Sequence, residues 1–263
     1  MDDIAGKALK VAVEAAREAG KILARRQLQG LKISFKDRRG RSIVTNADME
    51  ADSLIRRIIL KSFPGHSIIS EEDKPVLGNE YKWYIDPLDG TTNYSMGTGY
   101  FCVSIALAKG SQPMVGVIYS PAADELFTAV HGKGAFLNRI RIRPNSAVNL
   151  ENAMVSLDVA YLESERKKAV EALRKLVSDV KSFRIKGAGA LALCEVASGR
   201  ADAYVRMGST AWDYAAGTLI LEEAGGIATD TSNVPWQPGS KTIIAAASRD
   251  LHSQIIKRIG RKA

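Results

Sequence analysis

Between residues 101 and 137 the chain holds little but short apolar runs, and this constrains its fold more than any other feature. Runs at 101–109, 114–120, 126–130 and 135–137 are separated by turn residues. Each is strand-length rather than helix-length, so they predict an antiparallel meander. The sequence before the meander reads differently. Ile4, Ala8, Val11, Ala15, Ala19 and Ile22 recur at spacings of three and four, which predicts a first helix ending near 27–30. A strand at 32–36, an exposed turn at 37–41, and a second helix starting just after Asn46 or Asp48 follow. That helix runs to about Ser62 and is stopped by Pro64 and Gly65. Short strands are expected at 66–70 and 83–86. Beyond Pro144 the pattern alternates: strands at 153–157, 183–185, 201–207 and 242–247, helices at 164–180, 190–198, 211–224 and 251–259. The expectation is an α+β half over residues 1–144 and an α/β half over 145–263. No Gly/Ser linker divides them, so they should pack as one unit with the site in the crevice between.

Composition removes several classes. The chain has 263 residues, 46% hydrophobic and 25% charged, which suits a globular protein with a substantial core and excludes general disorder. Two cysteines, Cys102 and Cys194, lie in apolar sequence and read as buried reduced thiols. No apolar run approaches the ~20 residues of a membrane span. Asp2, Asp3 and Glu14 stand where a signal peptide needs a cationic and then an apolar region, so a cytoplasmic location without membrane contact is expected. The net charge of +8 favours anionic partners. The basic clusters at 36–41, 139–143 and 257–262 carry no interleaved aromatic residues for stacking. No nucleic-acid partner is therefore expected, and a phosphorylated metabolite is.

The chemistry concentrates in the stretch from Trp83 to Tyr94. A hydrophobic strand runs into Asp86-Pro87-Leu88-Asp89-Gly90-Thr91-Thr92-Asn93. Pro87 favours a sharp exit from the strand, Gly90 permits close backbone approach, and Thr91 can start a helix. Asp86 and Asp89 can converge on hard cations, and backbone N–H groups around Gly90 and Thr91 can face an anion. Alone, such a turn could equally be two solvated aspartates. Other segments taken singly are also ordinary: Glu71 and Glu72 as an acidic loop, Asp213 as a charge in a first helical turn, Val44 to Asp48 as a helix cap. His66 and His131 have no motif around them and read as turn or surface residues.

Taken together and in this order, these segments resemble the inositol monophosphatase superfamily of Mg²⁺-dependent, lithium-sensitive phosphatases. The matching pieces are V-T-x-x-D at 44–48, Glu71-Glu72, the W-x-I-D-P-L-D-G-T-T-N-Y block at 83–94, and W-D-x-A-A-G followed by E-E-A-G-G at 212–226. The resemblance implies a layered α-β-α-β-α sandwich. It implies that Glu71, Asp86, Asp89 and Asp213, with the Leu88 carbonyl, ligate two or three Mg²⁺ ions, Mn²⁺ being a possible substitute. It also implies that the Gly90 and Thr91 amides hold phosphate, and that Thr91 and Asp48 orient the attacking water. A homodimer, or a tetramer, is expected by the same analogy.

Two departures bear on the substrate. Thr92-Asn93 stands where the superfamily's nucleotide 3′-phosphatases usually have Lys and an acidic residue, so a sugar or inositol phosphate is expected. Arg206 stands where typical inositol monophosphatases have a glutamate that accepts hydrogen bonds from inositol hydroxyls. A guanidinium cannot accept, but it can clamp a second phosphate. Arg184 and Lys186 precede the substrate-side loop Gly187-Ala188-Gly189 and could add charge there. The expectation is hydrolysis of both fructose 1,6-bisphosphate and inositol 1-phosphate, as in archaeal and thermophilic dual-activity members. Inositol 1-phosphate alone, or a nucleotide 3′,5′-bisphosphate, is the alternative.

Overall fold

The first helix, α1 (Asp2–Gln29), turns Ala8, Ala12, Ala15, Ala19 and Leu23 inward, all fully buried. Such small residues let it lie close against α2 (Asn46–Ser62), which answers with Ala47, Ala51, Ile55 and Ile59. In this computed structural model, which describes residues 2–37, 39–145 and 148–260, the two helices cover one face of a seven-stranded sheet. Arg38, Arg261 and Lys262 of the basic clusters lie outside the described residues.

The sheet runs in simple order through β3 (Ser67–Ser70), β4 (Tyr81–Asp89), β5 (Cys102–Lys109), β6 (Gln112–Ser120), β7 (Glu125–Val130), β8 (Gly134–Leu137) and β9 (Ile140–Arg141). Every pairing from β4 to β9 is antiparallel, as a meander requires, while β3 joins β4 in parallel. The continuous apolar text of β5 has a direct cause. Val103, Ile105 and Leu107 face the α1/α2 side, and Cys102, Ala106 and Ala108 face the other, so both sides of the strand are buried.

That second face is covered by α5 (Gly189–Ala197) and α6 (Ala211–Ala224). Gly116 of β6 admits α6 closely, since a Cβ there would stand 2.7 Å from the Ala216 carbonyl oxygen. Behind these helices lies a five-stranded sheet in the order β11 (Ser182–Arg184), β10 (Met154–Asp158), β12 (Ala203–Met207), β14 (Thr242–Ala246), β13 (Ile227–Thr229). Sandwiched between two sheets, α6 is apolar on nearly every side, its buried residues running unbroken from Tyr214 to Leu221. The far face of the second sheet carries α4 (Glu163–Leu176) and α7 (Arg249–Ile259) over Val155, Leu157, Val205 and Ile244. The layers are therefore α-β-α-β-α. A small hairpin of β1 (Ile33–Phe35) and β2 (Ile43–Thr45) stands apart, and α3 (Thr91–Ser95) follows β4.

The expected helix over 164–180 ends earlier, at Leu176. Val177 is exposed and Val180 packs on the outer core, so the chain leaves the helical period to bury the second valine. Strands β2, β9 and β13 have two or three residues each and no alternation long enough to read. Among the described residues no helix is long and apolar enough to cross a membrane. Both cysteines are free and buried.

Candidate active site

The parallel register of β3 and β4 builds the site's first element. Ser70 pairs with Ile85, so the next residue of each strand, Glu71 and Asp86, stands side by side where this pairing ends. The Glu71 amide still donates to the Ile85 carbonyl at 3.2 Å, which fixes that exit. Beyond Asp86 the pairing with β5 slips, and Asp89 resumes it opposite Cys102. The slip turns the Asp86 carboxylate back on its own chain, where Oδ1 accepts from the Leu88 amide at 2.9 Å. Gly90 then takes φ +90°, a conformation costly for other residues, and lies so close to the Tyr100 carbonyl that a Cβ would meet it at 2.9 Å. This is how α3 begins at the edge of the cavity.

Asp213 arrives from the first turn of α6. Glu71, Asp86 and Asp213 each offer a carboxylate oxygen, and these oxygens all lie within 4.8 Å of one another. Three hard oxygen donors at that spacing suit a divalent cation such as Mg²⁺. The electrostatics agree. Asp86 is pushed well above the usual carboxylate range by burial, and then by the charges of Glu71, Asp89 and Asp213. Asp213 is pushed up to about 6, again chiefly by burial, with Arg206 opposing. Asp89 is pushed up to about 8 by burial and Asp213, although its Oδ2 accepts from the Ala190 amide at 2.7 Å. A divalent cation would relieve this repulsion, so the residues present fit one.

The remaining expected residues are placed as follows. Leu88, Asp89, Gly90, Thr91, Gly187 and Arg206 line one cavity of about 370 Å³ with Glu71, Asp86 and Asp213. Thr91 Oγ1 donates to the Leu88 carbonyl at 3.0 Å, with Asp48 Oδ1 at 3.4 Å. Asp48 sits fully buried at the third position of α2, where its Oδ2 accepts from the Thr45 amide and hydroxyl at 2.9 and 2.5 Å. Burial pushes this carboxyl up to about 6. The segment from Val44 to Asp48 is thus a capping box whose carboxylate also reaches Thr91 of the cavity wall. Ala188 is buried behind Gly90, and Gly189 opens α5.

Two expected cations stand elsewhere. Arg184 is exposed at the end of β11, donates to the Phe183 carbonyl at 2.8 Å and is not among the cavity-lining residues. Lys186 pairs with Glu195 at 2.7 Å and lies over the Tyr100 ring. His66 stacks between Phe63 and Tyr81 and accepts from Trp83 Nε1 at 3.1 Å, a structural role.

Asp158 and several residues of the cavity wall carried no readable signal in the sequence. Asp158, at the end of β10, accepts from the Gly187 amide at 2.8 Å, the Lys186 amide at 3.3 Å and the Tyr204 hydroxyl at 3.0 Å, and so holds the 187–189 loop. Asn93 clamps the same loop from the other side, donating to the Lys186 and Tyr100 carbonyls at 2.7 and 2.9 Å. Tyr161, Leu162, Glu165, Ser209 and Thr210 also line the cavity. Lys36, Asp37 and Ser42, from the loop between β1 and β2, line it as well. Lys36 Nζ bridges Glu71 and Glu72 at 2.7 Å each, and Arg39 reaches Glu163 at 2.6 Å. Burial alone would lower the Lys36 pKa, but the two glutamates raise it above its ordinary value.

A family model described as the inositol monophosphatase family matches residues 6–262. The chain belongs to the inositol monophosphatase family. It is accordingly a metal-dependent phosphatase of that family. The Nus factor SuhB of Haemophilus influenzae is 39% identical over 252 residues, covering 95% of this chain and 94% of that protein. Among solved structures, the extragenic suppressor protein suhB from Bartonella henselae superposes with a TM-score of 0.91 at 34% identity, covering 97% of this chain and 99% of its own. The inositol monophosphatase from Anabaena gives 0.84 at 34% identity, covering 95% and 94%. These findings support the family and leave two finer expectations without support. The Haemophilus and Bartonella relatives carry the name SuhB rather than that of the archaeal dual-activity members. That name is of a factor, not of a phosphatase, so the expectation of no nucleic-acid partner is left without support.

Proposed function

We propose that this inositol monophosphatase family member hydrolyses phosphate monoesters of polyols, taking both inositol 1-phosphate and fructose 1,6-bisphosphate. The observation that carries the reading is the convergence of Glu71, Asp86 and Asp213 on one point of a cavity that also holds Thr91 and Arg206. In this reading Glu71, Asp86 and Asp213, with Asp89 and the Leu88 carbonyl, would hold Mg²⁺. The bound ions supply Lewis-acid stabilisation of the phosphate's charge and a more acidic water. The protein's own groups do the rest. The Gly90 and Thr91 amides hold the phosphate oxygens. The Thr91 hydroxyl and the Asp48 carboxylate orient the attacking water and accept its proton. Residues 1–144 supply most of these groups and residues 145–263 supply Asp213 and Arg206, so the two halves act as one catalytic unit.

Arg206 supports the bisphosphate side of the proposal. Its Nε donates to the Gly208 carbonyl at 3.2 Å, which orients the guanidinium without using its outer nitrogens. Those nitrogens can clamp a second phosphate in the cavity. The test is phosphate release from both esters, with Mg²⁺ and with EDTA. Arg206→Glu should cut kcat/KM for fructose 1,6-bisphosphate by at least ~10-fold more than for inositol 1-phosphate, the worth of one charge-assisted pair. Equal loss on both would remove Arg206 from this role. A second reading, action through an RNA partner, has the name of the SuhB relatives and the charge of +8 in its favour. Salt-sensitive RNA binding would support it.

A further inference from the structure

The cavity wall holds a further acceptor besides the metal carboxylates. Glu165 lies in the first turn of α4, half-buried, and lines the same cavity as Arg206 and Gly208. Its neighbour Glu163 is taken by Arg39 and Arg41. Among the described residues, Glu165 has neither a hydrogen bond nor an ion pair, and none joins it to Arg206. Yet the two flank one residue. Arg206 Nε donates to the Gly208 carbonyl at 3.2 Å, and the Glu165 carboxylate lies 2.6 Å from where a Gly208 Cβ would be. Gly208, at φ +113°, has no side chain and thereby gives Glu165 its place in the wall.

We infer that Glu165 is a specificity-determining residue that accepts hydrogen bonds from the hydroxyl groups of the polyol, selecting polyhydroxylated monophosphates. The inference rests on the proposed phosphatase reading and deepens it. The chemistry follows from the inventory of groups. A carboxylate only accepts and a guanidinium only donates, while each polyol hydroxyl does both. A free acceptor and a donor either side of Gly208 therefore suit neighbouring hydroxyls of one ring. A hydrogen bond to a charged group is worth about tenfold or more in discrimination when the site is built for the hydroxyl. The same negative charge opposes a second phosphate at that wall, so Glu165 and Arg206 pull the substrate choice in opposite directions. As an acidic group in a first helical turn, Glu165 also favours α4. That contribution is indifferent to the substrate.

The experiment is steady-state kinetics with Mg²⁺ on the full chain and on Glu165→Gln and Glu165→Ala. Three esters are compared: inositol 1-phosphate, fructose 1,6-bisphosphate, and p-nitrophenyl phosphate, which has no hydroxyls. For Glu165→Ala we expect kcat/KM on inositol 1-phosphate to fall at least about tenfold, mostly through KM. We expect p-nitrophenyl phosphate to change less than about twofold, and the bisphosphate to hold or rise. Glu165→Gln should show the same order with a smaller loss. Equal losses on all three esters, or no loss on inositol 1-phosphate, would overturn the assignment. A wild-type chain that releases phosphate from p-nitrophenyl phosphate but from neither polyol would overturn the proposed substrate class itself. The wild-type controls thus separate the two failures.

Discussion

Asp158 shows how much one carboxylate can hold. It accepts from two partly buried backbone amides of the 186–187 segment and from the fully buried Tyr204 hydroxyl. Removing it frees two loop amides and takes the carboxylate from the buried Tyr204 hydroxyl, a loss of about 1–3 kcal/mol for a buried group. Asp158→Ala should therefore lower unfolding stability by roughly 2–4 kcal/mol in urea titrations. It should also reduce kcat, because Gly187 lines the cavity. A loss under about 1 kcal/mol would show that the loop is held by Asn93 alone. This residue also marks the limit of reading a sequence. Asp86, Asp89 and Gly90 announced themselves because two carboxylates and a glycine close a strand together. Asp158 is one aspartate at the end of a short, mostly apolar strand, with no spacing to flag it, and its partners lie 28 to 46 positions away. Glu165 was illegible for the same reason. Its neighbour in the wall, Gly208, is remote in sequence and close only in the fold.

At the scale of elements, α2 joins stability to chemistry. Its capping box spends one Asp48 oxygen on Thr45 and turns the other toward Thr91. Thr45→Ala should cost about 1 kcal/mol of stability, the usual worth of a helix cap. It should also lower kcat by more than it changes KM, since Asp48 loses the hydroxyl that orients it. Unchanged kcat would mean that Asp48 needs only its backbone contact. Long periodic elements were legible in the sequence: α1, α2, α6 and the meander from β5 to β8 fall close to where their patterns put them. Hairpin strand β1 also falls within its expected range, but its partner β2 does not appear in the sequence pattern. Strand β2 is three residues set directly against the α2 cap, too short for alternation to show. The early end of α4 was also hidden, because it depends on which of two valines finds the core.

At the scale of the molecule, the fold gathers buried carboxylates and so stores repulsion. Asp48 and Asp213 are held at about 6 and Asp89 at about 8, against about 3.9 in an unfolded chain. A folded pKa raised in this way means that the folded state holds its protons more tightly than the unfolded one. The metal-free protein is thus favoured by this term at low pH, and the advantage is lost as pH rises from about 4 through 6 to 8. We predict that Tm of the metal-free protein falls between pH 5 and 8, and that Mg²⁺ raises Tm more at pH 8 than at pH 5, where protons compete for the same oxygens. A Mg²⁺ shift independent of pH would contradict this. Periodicity alone gave an antiparallel half and an α/β half, and the five-layer arrangement followed only from the family resemblance. The substrate was less legible, since it turns on a few side chains, Arg206 and Glu165 among them, that a fold tolerates in many forms.

The most direct test of the central claim is Mg²⁺ binding by calorimetry, paired with phosphate release from inositol 1-phosphate, on the wild-type chain and Asp86→Asn. The structure puts Asp86 at the meeting point of the three carboxylates. The variant should lose at least ~100-fold in Mg²⁺ affinity, as expected when a hard cation loses a charged ligand, and phosphate release should fall with it while the fold persists. An Asp86→Asn protein that binds Mg²⁺ and releases phosphate like the wild type would mean that the chemistry lies elsewhere.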